Sequence, residues 1–141
     1  MKAILAGSMA ACVGLAAWSV AAQAPQSQWN GIYTPEQAAR GGKLYVDKCA
    51  TCHGDALEGG EMAPGLVGGE FSANWNDLRI GDLYERIRIS MPQDSPDSLS
   101  RAQYAEVVAF ILQKGGYPAG KADLPTDLAQ LNGMQFLATK P

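Results

Sequence analysis

Cys49-Ala50-Thr51-Cys52-His53 is the stretch on which the reading of this chain turns. Thiols at i and i+3 lie on the same side of one helical turn, so both can reach a single flat partner. The imidazole after the second thiol then sits beside the same partner. A Cys-x-x-Cys alone fits half of a zinc site, a redox dithiol or the thioether attachment of a porphyrin. Zinc calls for about four ligands, yet His53 is the only histidine and the third cysteine, Cys12, lies in a segment that reads as removable. A thioredoxin-like dithiol calls for a strand feeding a helix, and no strand-like alternation precedes Cys49. With the adjacent histidine the pattern is that of c-type haem attachment, in which Cys49 and Cys52 form thioethers with the vinyl groups and His53 binds the iron.

The start of the chain agrees with that chemistry. Lys2 is followed by an apolar, Ala-rich run through Val20 and then Ala21 and Ala22, the pattern of a secretory signal peptide. Cleavage is expected after Ala22, since cleavage after Ala24 would leave Pro25 at the new terminus. Haem thioethers are formed on the exported side of bacterial membranes, so a periplasmic location is expected. Left uncleaved, the run would be an anchor, but Gly7, Ser8 and Gly14 interrupt it and its length is marginal for a span. Lipidation at Cys12 would call for Leu where Met9 stands. Stable membrane insertion is therefore not expected, and Cys12 is given no role in the mature protein.

Removing residues 1–22 from the 141 leaves 119, enough for one domain. Only Lys2 is a charge lost with them, so 10 of the 11 basic residues remain against 14 acidic ones. That balance disfavours nucleic acid, and two haem propionates would make it more acidic. A basic docking surface on a redox partner is the complementary expectation, acting mainly on association rate.

The mature chain reads as helical with loops. Residues 23–33 form a polar arm carrying Trp29 and Tyr33. Thr34-Pro35-Glu36-Gln37 announces a helix: Thr34 as cap, Pro35 at the first position and Gln37 completing a capping box. It should run to Asp47 or Lys48, directly into the haem motif. Gly41 and Gly42 inside it cost roughly 1 kcal/mol each relative to Ala, which points to close approach by another backbone. Ser100 and Gln103 form a second capping box, with Leu99 stapling onto Tyr104. Tyr104, Val107, Val108, Ile111 and Leu112 then make one apolar stripe before Gly115 and Gly116. A weaker helix is expected over about Gly81 to Ile89, and one helical turn around Thr126–Leu131. These pieces give a domain over residues 34–117 and a C-terminal tail over 118–141 packed on it.

The chain resembles the class I cytochromes c over nearly all of its mature length. The resemblance implies an all-α fold in which N- and C-terminal helices cross at a small residue, matching Gly41 or Gly42 against Tyr104–Phe110, with loops wrapping one haem. Gly68-Gly69-Glu70-Phe71, Trp75, Leu83-Tyr84, Ser90-Met91-Pro92 and Ser98-Leu99-Ser100 resemble a narrower group. So do Gly116-Tyr117-Pro118-Ala119-Gly120 and Leu124-Pro125. That group comprises small bacterial cytochromes, or cytochrome domains, serving periplasmic quinoprotein (pyrroloquinoline-quinone) alcohol dehydrogenases. Many of its members carry a glycine after the second proline of the methionine loop, where this chain has Asp97.

With a single histidine, a second histidine ligand is excluded by composition. Met62, Met91 and Met134 remain after signal removal, and any methionine is first of all a core filler. Met91 occupies the family's axial position, before Pro92 and the loop leading to the last helix. Met62 follows His53 closely for a ligand on the opposite haem face, and Met134 reads as core. The resemblance to the family's Pro-x-Leu element implies that the Pro64 carbonyl accepts the other imidazole proton of His53 and that Leu66 pads the haem. Trp75 reads as a haem-packing residue with an indole N–H available to a propionate. Arg79, Arg86 and Arg88 are candidates for offsetting propionate charge, and Asp55, Glu58, Glu61 and Glu70 for an acidic rim.

A His–Met pair fills both axial positions and raises the reduction potential. The expectation is an electron-transfer protein rather than an enzyme, carrying single electrons by outer-sphere transfer. Its donor would be a quinoprotein dehydrogenase, its acceptor an oxidase or another cytochrome of the respiratory chain. The alternatives are a permanent haem subunit of such a dehydrogenase, and a haem enzyme or sensor with an open distal site.

Overall fold

The structure is a computed structural model describing residues 26–141. The signal segment expected over residues 1–22, with Cys12, lies outside the described residues. In chain order the elements are β1 (Gln26–Ser27), a 3-10 turn (Gln28–Asn30), α1 (Pro35–Lys48), α2 (Ala50–His53), α3 (Gly68–Trp75), α4 (Ile80–Ser90), α5 (Arg101–Lys114), α6 (Leu128–Asn132) and β2 (Met134–Gln135). The fold is the all-α one expected of a class I cytochrome c. Among the described residues no helix is long and apolar enough to cross a membrane.

The box expected at Ser100 forms in full, whereas at Thr34 only the cap itself forms, because the Gln37 side chain turns away to the Leu124 backbone. The Thr34 side chain accepts from the Gln37 N–H at 3.1 Å. Ser100 Oγ accepts from the Gln103 N–H at 3.2 Å while Gln103 Oε1 accepts from the Ser100 N–H at 2.9 Å. These bonds fix where α1 and α5 begin, and the two helices then cross at the glycines of α1. A Cβ on Gly41 would collide with the Glu106 carbonyl of α5. One on Gly42 would stand 3.0 Å from the Phe110 ring instead. The helix-weakening glycines thus let one backbone rest on another.

The single stripe expected on α5 understates its burial. Ala105, Ala109 and Phe110 are buried along with Tyr104, Val107, Val108, Ile111 and Leu112. The helix is central, packed by α1 on one side and by α4 on another, and a helix covered on most sides needs apolar residues on most sides. α4 begins one residue before and ends one residue after the expected range. The turn expected near Thr126–Leu131 is α6, capped by Asp127 Oδ1 accepting from the Gln130 N–H at 3.0 Å.

The arm and the tail are fastened to each other and to the core. β1 pairs in parallel with β2, Gln26 opposite Met134. The Gln28 amide imitates a peptide group: its Nε2 donates to the Leu137 carbonyl and its Oε1 accepts from the Leu137 N–H. Gln37 does the same with Leu124, at 3.0 and 2.7 Å. Leu124, Leu131 and Phe136 are buried. The Phe136 ring lies edge-on to Phe71 of α3 at 6.0 Å and to Tyr117 at 5.5 Å.

Gly41→Ala is expected to destabilise the protein by about 2–3 kcal/mol, because a backbone carbonyl rather than a side chain must yield. Gly42→Ala should cost clearly less, since the Phe110 ring can tilt. Chemical denaturation of the two variants measures the difference, and equal effects would contradict the crossing geometry.

Candidate functional site

α1 delivers the chain into the Cys-x-x-Cys-His segment without a loop. The Cys49 N–H still donates to the Tyr45 carbonyl at 2.9 Å, and the Cys52 and His53 N–H groups donate to the Cys49 carbonyl at 3.1 and 3.0 Å. The segment is therefore one helical turn that holds its two free thiols on one side, Cys49 half-buried and Cys52 exposed. Burial, followed by the nearby Cys52, pushes the Cys49 thiol up to about 11. Tyr45, fully buried, donates its hydroxyl to the Gly54 carbonyl at 2.6 Å and so ties down the end of this turn. Burial, with Cys49, Glu58 and Asp55 adding to it, pushes that phenol up to about 12, which keeps it a donor at neutral pH.

The loop after His53 doubles back under the ring. Gly59 donates its N–H to the His53 carbonyl at 2.8 Å. It does so at φ +77, where a Cβ would run into the backbone of Pro64 and Gly65. The return places the Pro64 carbonyl 2.8 Å from His53 Nδ1. A carbonyl can only accept, so Nδ1 carries the proton and the neutral ring keeps its lone pair on Nε2. The ring is 7 % exposed, so this tautomer is held in place rather than averaged.

Met91 closes α4, its N–H donating to the Ile87 carbonyl at 2.8 Å. Its own carbonyl accepts the hydroxyl of Tyr104 from α5 at 3.0 Å. The loop that follows returns to α4 at Asp97, whose N–H donates to the Arg88 carbonyl at 3.0 Å and whose Oδ1 accepts from Arg88 Nη1 at 2.9 Å. Asp97 has φ +57, a left-handed conformation that Gly adopts freely and Asp tolerates better than most residues. The turn is thus kept without the glycine common at this position. Arg88 also donates to both oxygens of Glu85, at 2.8 and 3.0 Å, and holds that carboxyl below its usual value.

These segments enclose one cavity of about 1260 Å³. Cys49, Cys52, His53, Pro64, Leu66, Trp75 and Met91 all line it, with Phe71, Leu83, Ile87, Val107 and Ile111 supplying apolar wall. Met62 stands on its rim, 82 % exposed, and Met134 is half-buried in β2 away from it. Of the three arginines, Arg86 lines the cavity, Arg88 is committed to Glu85 and Asp97, and Arg79 is not on the lining. Glu58 and Glu70 lie on the lining, whereas Asp55 and Glu61 do not.

The donor set fits a haem c. Two thiols on one turn can be alkylated, an imidazole nitrogen is left basic by its fixed partner, and the apolar walls suit a porphyrin face. A family model described as cytochrome C oxidase, cbb3-type, subunit III, matches residues 36–111. The chain belongs to this family of c-type cytochromes. Its cofactor is accordingly one haem c, attached through Cys49 and Cys52. The cytochrome is 35 % identical to the thiosulfate dehydrogenase of Stutzerimonas stutzeri (strain A1501), a match covering 52 % of this chain and 26 % of that protein. The chain thus spans about a quarter of that relative's length. It also matches the sulfane dehydrogenase SoxCD structure from Paracoccus pantotrophus, with a TM-score of 0.47 and 30 % identity, over 62 % of this chain and 52 % of that one.

Two features of the cytochrome's site were not expected from its sequence. α3 was not anticipated as a helix, because Gly68-Gly69 opens it, although Phe71 and Trp75 at i and i+4 are a helical signal. Tyr45 was passed over, and Tyr104 was read only as core. Yet each donates to the main chain beside the haem segments. Tyr45→Phe and Tyr104→Phe are each expected to cost about 1–2 kcal/mol, since a carbonyl loses its partner while the ring packing is kept. Guanidinium unfolding of the holoprotein measures this, and no loss in either variant would contradict the two hydrogen bonds.

Proposed function

We propose that this cytochrome is a periplasmic single-electron carrier with His53 and Met91 as its axial pair. The reading is carried by the meeting of His53 and Met91 on one cavity whose wall includes the apolar side chains of Leu66, Phe71, Leu83, Ile87, Val107 and Ile111. Bound haem supplies reversible one-electron chemistry. Cys49 and Cys52 tether it, and His53 Nε2 is held ready to bind iron by the Pro64 contact at Nδ1. Met91 offers a soft, neutral sulfur, which favours ferrous iron and a raised potential. Filling both positions excludes oxygen, peroxide and substrate from the metal. The tyrosine bonds to Gly54 and Met91 keep both segments in place through a change of oxidation state.

The donor we infer is a periplasmic quinoprotein dehydrogenase, on the motifs from Gly68 to Ser100 and Gly116 to Pro125, with electrons passing to an oxidase or another cytochrome. Residues 1–22 support export, with cleavage near Ala22. A second reading is a permanent haem subunit or domain of a dehydrogenase. It is favoured by the relative named thiosulfate dehydrogenase, of which this chain matches 26 %.

The ferric holoprotein at neutral pH is expected to show the weak far-red absorption of methionine sulfur on iron and no spectral change with cyanide. Met91→Ala should lose that band, bind cyanide and show a lower midpoint potential. A wild-type protein that is high-spin and binds cyanide would overturn the carrier reading. Co-purification with a large dehydrogenase subunit at fixed stoichiometry would favour the second reading over a shuttle.

A further inference from the structure

We propose that a groove between the outer stripe of α1 and the end of α5 takes the cavity mouth of a second copy of this chain, in a weak head-to-tail contact. The inference goes beyond the carrier reading and stands whichever ligand pairs with His53. Ala39, Gly42, Lys43 and Val46 follow at i, i+3, i+4 and i+7 on α1, and Phe110 and Lys114 at i and i+4 on α5. With Asp55 they line the groove, and none of them lines the haem cavity. Phe110 is its buried floor, whereas Val46 is 68 % exposed. Lys114 Nζ stands 5.4 Å from the centre of the Phe110 ring, so its charge is held over that floor. Neither Lys43 nor Lys114 makes an ion pair among the described residues.

The cavity mouth has the opposite chemistry. Asp47, Glu58, Glu70, Asp82 and Asp94 line it and are exposed, against Arg86 and a Lys48 that is already engaged by Asp47 at 2.9 Å. The large apolar side chains exposed on the described residues fall on the same two surfaces, Ile89 aside: Val46 on the groove, Met62 and Leu78 on the mouth. Each surface thus joins charge of one sign to an exposed apolar group, and the two complement each other. With a net charge of -3 two copies repel in most orientations, and this pairing is one that attracts. A broad anionic surface such as a membrane fits less well, because Asp55 on the groove and Asp47 next to Val46 would meet it along with the lysines. A groove of 7 residues is far below the roughly 20–30 a side of a stable interface, so the contact is transient. It is also heterologous, leaving one copy's groove and the other's mouth open.

The test is sedimentation equilibrium of the holoprotein over a range of concentrations, at low and at high ionic strength. The wild type is expected to associate at high concentration and low ionic strength and to become monomeric as salt screens the contact. Reversing the groove with Lys43→Glu and Lys114→Glu should weaken association at least about tenfold, since like charges then face each other. Reversing the mouth with Glu70→Lys and Asp94→Lys should do the same. An equimolar mixture of the two double variants should associate again, because a reversed groove then meets a reversed mouth, and that recovery separates a lost contact from a lost fold. A wild type that is monomeric under every condition overturns the proposal, as does association that survives reversal of the groove. A monomeric wild type whose groove lysines instead hold it on phosphatidylglycerol vesicles, or on a co-purified dehydrogenase subunit, also overturns it and gives the groove to a membrane or to a larger partner. None of these outcomes bears on the axial pair, which the far-red absorption and cyanide measurement tests separately.

Discussion

The contact of the Gly41 backbone with the Glu106 carbonyl sets the scale of this molecule. α1 runs without a break into Cys49, and α5 begins three residues before the tyrosine that holds Met91. Because the two helices touch at main-chain distance, the Cys49–His53 turn and the Met91 loop are fixed relative to each other by one rigid crossing. A larger residue at position 41 would separate the helices and shift one candidate ligand segment against the other. The width of the cavity between His53 and Met91 is therefore set by a glycine that touches neither.

Much of this was legible in the sequence, and the reasons are local. Thr34-Pro35 and Ser100-Gln103 encode helix starts through hydrogen bonds within four residues, and the structure makes those bonds. The Cys-x-x-Cys-His spacing encodes its own geometry in the same way. What was illegible depends on distant partners. Gln28 read as part of a polar arm and Gln37 as half of a capping box, yet both are buried because each amide meets a backbone segment 109 positions away in one case and 87 in the other. α3 was hidden behind its two glycines. Its inward face is stabilised by Phe136, which lies beyond any local pattern. Tyr45 was passed over and Tyr104 was read only as core for the same reason: the acceptors of their hydroxyls follow from tertiary placement.

The arm and tail fall outside the stretch matched by the family, residues 36–111, but they are part of the same packing. Phe136 meets Phe71, and Phe71 lies 6.1 Å from Trp75, which lines the cavity. The Asp77 N–H donates to the Phe136 carbonyl and the Phe136 N–H to the Leu78 carbonyl, at 2.8 and 2.7 Å. These bonds fasten the α3–α4 connection from outside. The tail thus braces the α3 wall of the cavity, and the β1–β2 pairing with the Gln28 bonds in turn holds the tail. An arm that only decorated the surface would not bury Ser27, Gln28 and Tyr33.

The two sides of the cavity are held by different kinds of bond, and this decides where the structure yields first. His53 is buried and fixed through Pro64, Gly59 and the Tyr45–Gly54 bond, all drawn from within about twenty residues of one another. On the Met91 side, Gln93, Asp94, Ser95, Pro96 and Asp97 are exposed. There the carboxylate of Asp97 is tied by an ion pair open to solvent, a kind worth at most about 1 kcal/mol. What keeps Met91 in place is then chiefly the buried Tyr104 hydroxyl together with the end of α4. Local opening in proteins begins where few apolar contacts are lost, so the Met91 loop is the weaker wall. The histidine side stays anchored by both its fold and its cysteines, so opening of the cavity begins at the Met91 loop.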